Sequence, residues 1–155
     1  MSQFGRVLVL MSALLLAAPV WCAPADASEL QSVEIITARG VQVLAVELAA
    51  TKVEITRGLK GRTELPEGSG MLFDFTLEMQ ATMSMKDTAI ALDMIFIRAD
   101  GRISHIVENL TPMVDRQIHS GGPVRGVLEV PAGTVRRLGI APGDRVGHRI
   151  FSARR

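Results

Sequence analysis

Apolar and polar positions alternate through most of the chain at strand period. Val33-Glu34-Ile35-Ile36 and the run from Val41 to Leu48 are rich in β-branched residues and flank the turn-like pair Arg39-Gly40, which predicts a hairpin. In the second run Leu44, Val46 and Leu48 share one face and Val41, Val43 and Ala45 the other. Apolar residues on both faces predict a strand covered on both sides, as in a sandwich or a closed barrel. The period then changes. Thr51-Lys52-Val53-Glu54 has the form of a capping box, in which the Thr51 hydroxyl accepts from the Glu54 amide and the Glu54 carboxylate reaches back to the Thr51 amide. A short helix is expected to about Leu59, with Gly61 as its cap, followed by the loop Leu65 to Gly70.

Strand character returns at Met71 to Phe75 and at Ala89 to Ile97. Asp100-Gly101 stands between the apolar runs ALDMIFI and ISHIV and predicts a second hairpin. Thr111 to Pro123 reads as a polar loop, Val124 to Val130 as a strand, and Ala132 to Leu138 as a short helix closed by Gly139. Pro142-Gly143 suits the centre of a type II turn, and Arg145 to Phe151 a last strand. The expected fold is mostly β: a compact antiparallel barrel or sandwich with two short helices on its flanks.

The first residues follow another logic. Arg6 precedes an uncharged stretch from Val7 to Val20, and Ala25-Asp26-Ala27 offers a small-residue cleavage site. Residues 1–27 are therefore expected to be a signal peptide and 28–155 a single β-rich domain beginning at Ser28, with Ala23 and Ala25 as alternative cleavage points. The stretch is too short to span a bilayer comfortably, so no stable membrane span is expected after cleavage. An acylated Cys22 would need a small residue before it, and Trp21 stands there. The expected location is the periplasm or the outside of the cell.

Cleavage changes the available chemistry. It removes the one Cys and the one Trp; with no Tyr in the chain, the aromatics left are Phe73, Phe75, Phe96 and Phe151. No disulfide or Cys nucleophile remains. The formal charge of +1 and the lack of a basic stripe interleaved with aromatics argue against nucleic acid.

Three segments carry a resemblance: RGLKGRTELPEGSGMLFDF, MKDTAIALDMIFIRADGRISHI and GPVRGVLEVPAGTVRRLGIAPGDRV. Over roughly Val43 to Val146 they resemble, in order and spacing, the domain of unknown function 192 family. The resemblance implies a compact, mostly β fold, frequent export in bacteria and no agreed reaction. Matching positions include Arg57, Gly58, Leu59, Arg62, Gly70, Phe73, Met85, Lys86, Thr88, Asp93, Gly101, Glu129 and Gly139. The chain departs from the pattern at Lys60-Gly61, where an apolar pair is usual, and at Met83-Ser84, where an aromatic pair is usual. It departs again at Asp87 and Ala91, usually Asn and Pro. If the aromatic pair lines a pocket in relatives, that pocket is reshaped here.

The expected function is that of a non-catalytic binding or accessory module of the cell envelope, taking a small molecule or an envelope protein. The expected site lies around Met85, Lys86, Thr88 and Asp93, where the lysine would meet an anionic group as a point charge. Arg62 is a second anion contact in this reading. Each of these charges also has a structural reading, as a pair that fixes strand register, and Glu129 shares that ambiguity. Two alternatives stay open. One is a Cu(I) protein using the thioethers of Met79, Met83 and Met85, with Met83 and Met85 on one side of a strand about 7 Å apart. The other is an enzyme with Lys86 and Asp93 as its working pair. His105, His119 and His148 lack zinc spacing. Asp115, His119 and Ser120 carry the letters of a hydrolytic triad without its geometry.

Overall fold

A computed structural model describes residues 29–151. The expected signal peptide and its cleavage points lie outside the described residues. The chain forms one seven-stranded sheet with two short helices. The elements are β1 (Gln31–Thr37), β2 (Gly40–Ala49), α1 (Lys52–Arg57), β3 (Ser69–Met83), β4 (Leu92–Ile97), β5 (Ile103–Leu110), β6 (Ile118–Pro131), α2 (Thr134–Leu138) and β7 (Arg145–Gly147). Their spatial order is β5-β4-β6-β3-β2-β1-β7. All pairs are antiparallel except β2 with β3, whose crossover through α1 is what a parallel pair requires.

The sheet curls until its two edges meet at one end. Arg102 pairs with Arg145, the Ile103 amide donates to the Asp144 carbonyl at 2.9 Å, and the Val146 amide donates to the Gly101 carbonyl at 2.8 Å. The result is a half-barrel rather than a sandwich. Its inner face holds one apolar cluster drawn from all seven strands, including Val33, Leu44, Leu72, Ile95, Ile103, Leu128 and Val146. Val135 of α2 packs into the same cluster. The outer face of β3, β4 and β6 carries a second cluster, with Phe73, Met94, Phe96 and Val127 beneath Leu59 and Met85.

Gly101 makes the closure possible. Its φ is +82°, and a Cβ there would stand 2.7 Å from the Val146 carbonyl oxygen. Gly101→Ala is expected to cost roughly 2 kcal/mol, from left-handed strain and overpacking together. A urea titration checks this; an unchanged midpoint would mean that the seam does not contribute to stability.

Several boundaries differ from the sequence pattern. β3 continues past Phe75 to Met83, with register shifts between Asp74 and Met79 and between Gln80 and Thr82. β6 begins at Ile118, inside the expected polar loop. The Gly121-Gly122-Pro123 turn signal is absorbed at one of those irregularities. α1 stops at Arg57 with Gly58, not Gly61, as its cap; its capping box is present as expected. β7 ends at Gly147, and Arg149–Phe151 form a 3-10 turn. Among the described residues the second hairpin strand is covered on one face only, with Val41 and Val43 58% and 62% exposed. Among the described residues no helix is long and apolar enough to cross a membrane.

Candidate functional site

A cleft of about 850 Å³ opens on the outer face, between α1 and the long strand β3. Its floor includes Leu59 and Phe73, 2% and 1% exposed, with Ile55, Phe75 and Met83 partly buried around them. The local sequence explains the shape. The capping box starts α1 at Thr51, with the Glu54 carboxylate accepting from the amides of Thr51 (2.9 Å) and Ala50 (3.0 Å). Gly58 ends the helix against the Phe73 ring, where a Cβ would lie 3.2 Å from the ring edge. On the opposite wall Thr76 has φ +66° inside the β3 irregularity. The Asp74 carboxylate accepts from the Thr76 amide at 2.7 Å and pairs with Arg125. A β-branched residue in the left-handed region carries strain, and such strain gathers at functional sites.

Glu129 lies at the bottom. On β6 its cross-strand neighbours are Met71 of β3 and Met94 of β4, so it sits in a row with two methionines. It is 4% exposed and lines the cleft. Burial pushes its carboxyl up to about 8. Desolvation is the cause of the rise, and the cations of the cleft wall, Lys52, Arg57 and Lys60, are exposed. At neutral pH Glu129 is therefore a neutral carboxylic acid, a hydrogen-bond donor set in an apolar floor. A buried acid displaced in this way, inside a cleft, is a mark of a functional position.

The expected site residues do not form one constellation. Asp93 is fully buried, and strand alternation puts it on the inner face with Ile95 and Ile97. Its two oxygens accept from the amides of Asn109 (2.8 Å) and Val135 (3.0 Å). Val135 stands in the first turn of α2, whose own N-cap, Gly133, offers no side chain; Asp93 supplies that acceptor from β4. Lys86 is exposed in the turn between β3 and β4, 3.5 Å from Asp115 of the cleft lining. Arg62 forms a two-pronged pair with Glu47 (2.5 and 2.6 Å), which raises its pKa, and lies outside the cleft. Thr88 is buried and does line the cleft, its carbonyl accepting from the Met113 amide at 3.0 Å.

The methionines also separate. Met79 and Met83 line the cleft, whereas Met85 lies beyond the end of β3, 2% exposed, and borders a different, smaller pocket. Met83 and Met85 therefore do not face one side of a strand. Among the described residues no group of three or more His, Cys, Asp or Glu is placed to hold a metal ion. Ser120 accepts from the Ala81 amide and donates to the Gly122 carbonyl, His119 meets Thr82, and Asp115 meets Lys86, so the triad letters are not assembled.

Residue patterning leaves Glu129 ambiguous between a site role and a structural pair. The available signal was one acid in VRGVLEVP at a position in step with Val127, where an apolar residue is expected. Lys60, Met83 and Ser84, three of the expected departures from the family pattern, all fall on the cleft lining.

Comparison with known proteins agrees with this architecture. The model of the DUF192 family, described as an uncharacterized ACR, matches residues 34–148. A crystal structure from Sinorhizobium meliloti 1021, described as a candidate transcription regulator, is 42% identical with a TM-score of 0.77. The match covers 80% of this chain and 97% of that one. A protein of unknown function from Novosphingobium aromaticivorans DSM 12444 is 37% identical, also with a TM-score of 0.77. That match covers 85% of this chain and 94% of the other. No curated protein matches.

Proposed function

The chain belongs to the DUF192 family, and from that premise we propose that it is an exported, non-catalytic binding module of the cell envelope whose ligand site is the cleft between α1 and β3. The observation that carries the reading is the buried Glu129 carboxyl at the bottom of an apolar cleft. The volume lies within the range of small-molecule sites, about 300–1,000 Å³. Export rests on the charged start, the apolar run Val7 to Val20 and the Ala25-Asp26-Ala27 site.

An enzyme reading moves from Lys86 and Asp93, which are engaged with separate partners, to Glu129 as a general acid. The other acids of the cleft wall are already engaged, Asp74 with Arg125 and the Thr76 amide and Asp115 with Lys86. That favours binding over turnover. A copper reading rests on Met79 and Met83 alone. The regulator description of the Sinorhizobium relative does not carry over easily, because α1 and α2 have only 6 and 5 residues, short for a helix that reads a groove.

The test is a native mass spectrum of the protein isolated from the envelope of its own cell, beside a Thr82→Trp variant that fills the cleft. The expected wild-type species starts at Ser28 and carries an organic molecule that leaves on denaturation, while the variant is bare. One bound copper would shift the reading to the methionines. A cytoplasmic chain that keeps residues 1–27, or the same molecule on both proteins, would overturn it.

A further inference from the structure

The cleft has three chemically distinct zones. Its floor is apolar, formed by Leu59, Phe73 and the partly buried Phe75. Its mouth is cationic. The wall acids Asp74 and Asp115 are matched by Arg125 and Lys86. Lys52 and Lys60 line the same mouth and, among the described residues, neither is in an ion pair. At the bottom stands Glu129, 4% exposed, and among the described residues no hydrogen bond or ion pair reaches its carboxyl.

With no protein partner, the carboxyl opens on the cleft and completes its hydrogen bonds with whatever fills it, water or a guest. Two unmatched lysines at the entrance attract negative charge. An apolar stretch between them favours a hydrocarbon body. We propose that the cleft binds an amphipathic organic anion: its apolar body lies against Phe73, Phe75 and Leu59, its anionic head meets Lys52 and Lys60, and Glu129 donates a hydrogen bond to an oxygen acceptor on its buried end. The ligand class is thus an ω-oxygenated carboxylate or a molecule of the same layout. This deepens the reading of the cleft as a ligand site and rests on it.

Three probes separate the parts: 12-hydroxydodecanoate, which has both polar ends, dodecanoate, which lacks the buried oxygen, and 1,12-dodecanediol, which lacks the anion. Calorimetry at pH 6.5 is expected to rank the hydroxy acid first, ahead of dodecanoate by roughly tenfold for the one satisfied hydrogen bond. Glu129→Leu reverses that order. The double variant Lys52→Gln/Lys60→Gln weakens both acids by roughly tenfold and leaves the diol unchanged. Val43→Glu, on the exposed outer side of β2, changes none of the three and shows that the probes are not on that apolar patch. A diol that binds as tightly as the acids would overturn the anion preference and leave the cleft as a ligand site. An unchanged order in Glu129→Leu would overturn the role of the acid. If no probe binds while the native spectrum still shows a cleft-bound molecule, the proposed ligand class falls and the binding-module reading stands. If both fail, both fall.

Discussion

Glu129→Gln raises stability at pH 7, by up to roughly 3 kcal/mol, and flattens the loss of stability between about pH 5 and pH 8. The sign follows from burial. The folded pKa is raised from 4.5 to about 8, so between these values the native state holds a proton that the unfolded chain has released. Stability is therefore full below the unfolded value and declines as pH rises through the folded one. At pH 7 the gap from the unfolded value is about 2.5 units, each worth about 1.4 kcal/mol, which sets the ceiling. The glutamine amide still lacks a partner, so the measured gain is expected to be smaller. His148 acts in the opposite sense. Burial and Arg149 hold its pKa below the ordinary value, so its contribution is lost as pH falls. That contribution is common to both proteins and cancels in the difference. Urea titrations of wild type and variant from pH 5 to pH 9 decide the matter. Curves that stay parallel would mean that Glu129 is solvated or paired in solution, and the cleft would lose its defining group.

The second large effect is at Asp93. Asp93→Ala leaves a buried amide donor at Val135 and a part-buried one at Asn109 without their acceptor. At about 1–3 kcal/mol for the buried orphan and less for the part-buried one, the cost is roughly 3 kcal/mol, a large part of the stability of a small domain. The melting temperature is expected to fall by roughly 15 °C. Asp93→Asn keeps one acceptor oxygen and loses about half as much. Ligand affinity of the folded fraction is expected to stay the same, because Asp93 is on the inner face and the cleft is on the outer one. A stable Asp93→Ala protein with weakened binding would return Asp93 to the site.

The two carboxyls show why a site is harder to read than a fold. Both stand in apolar runs, LDMIFI and VRGVLEVP, and both read either as site residues or as charges paired to fix strand register. Their fates differ because of what lies across the sheet. Asp93 meets the open N-terminus of α2, a segment about forty residues away in the chain. Glu129 meets only methionines on its two neighbouring strands. Chain spacing carries no trace of that difference. The methionines behave likewise: Met79, Met83 and Met85 crowd together in sequence, yet β3 ends at Met83 and the next turn carries Met85 into the core.

Local rules determined a good deal by themselves. The Arg39-Gly40 and Asp100-Gly101 turns, the capping box of α1, the Gly139 cap of α2 and the β-rich class all follow from residue type at short range, where φ preferences and side-chain-to-backbone bonds act within a few residues. Family membership was also legible, since it rests on the order of residues. The tertiary structure alone decided that the sheet curls into a half-barrel, that Val41 and Val43 stand exposed among the described residues, and that Lys86 and Asp93 take separate partners. It also decided that Glu129 forms the floor of the cleft. Burial, pairing and the pKa of an acid depend on groups brought together from distant parts of the chain, and the alternation of apolar and polar residues records only which way each side chain points.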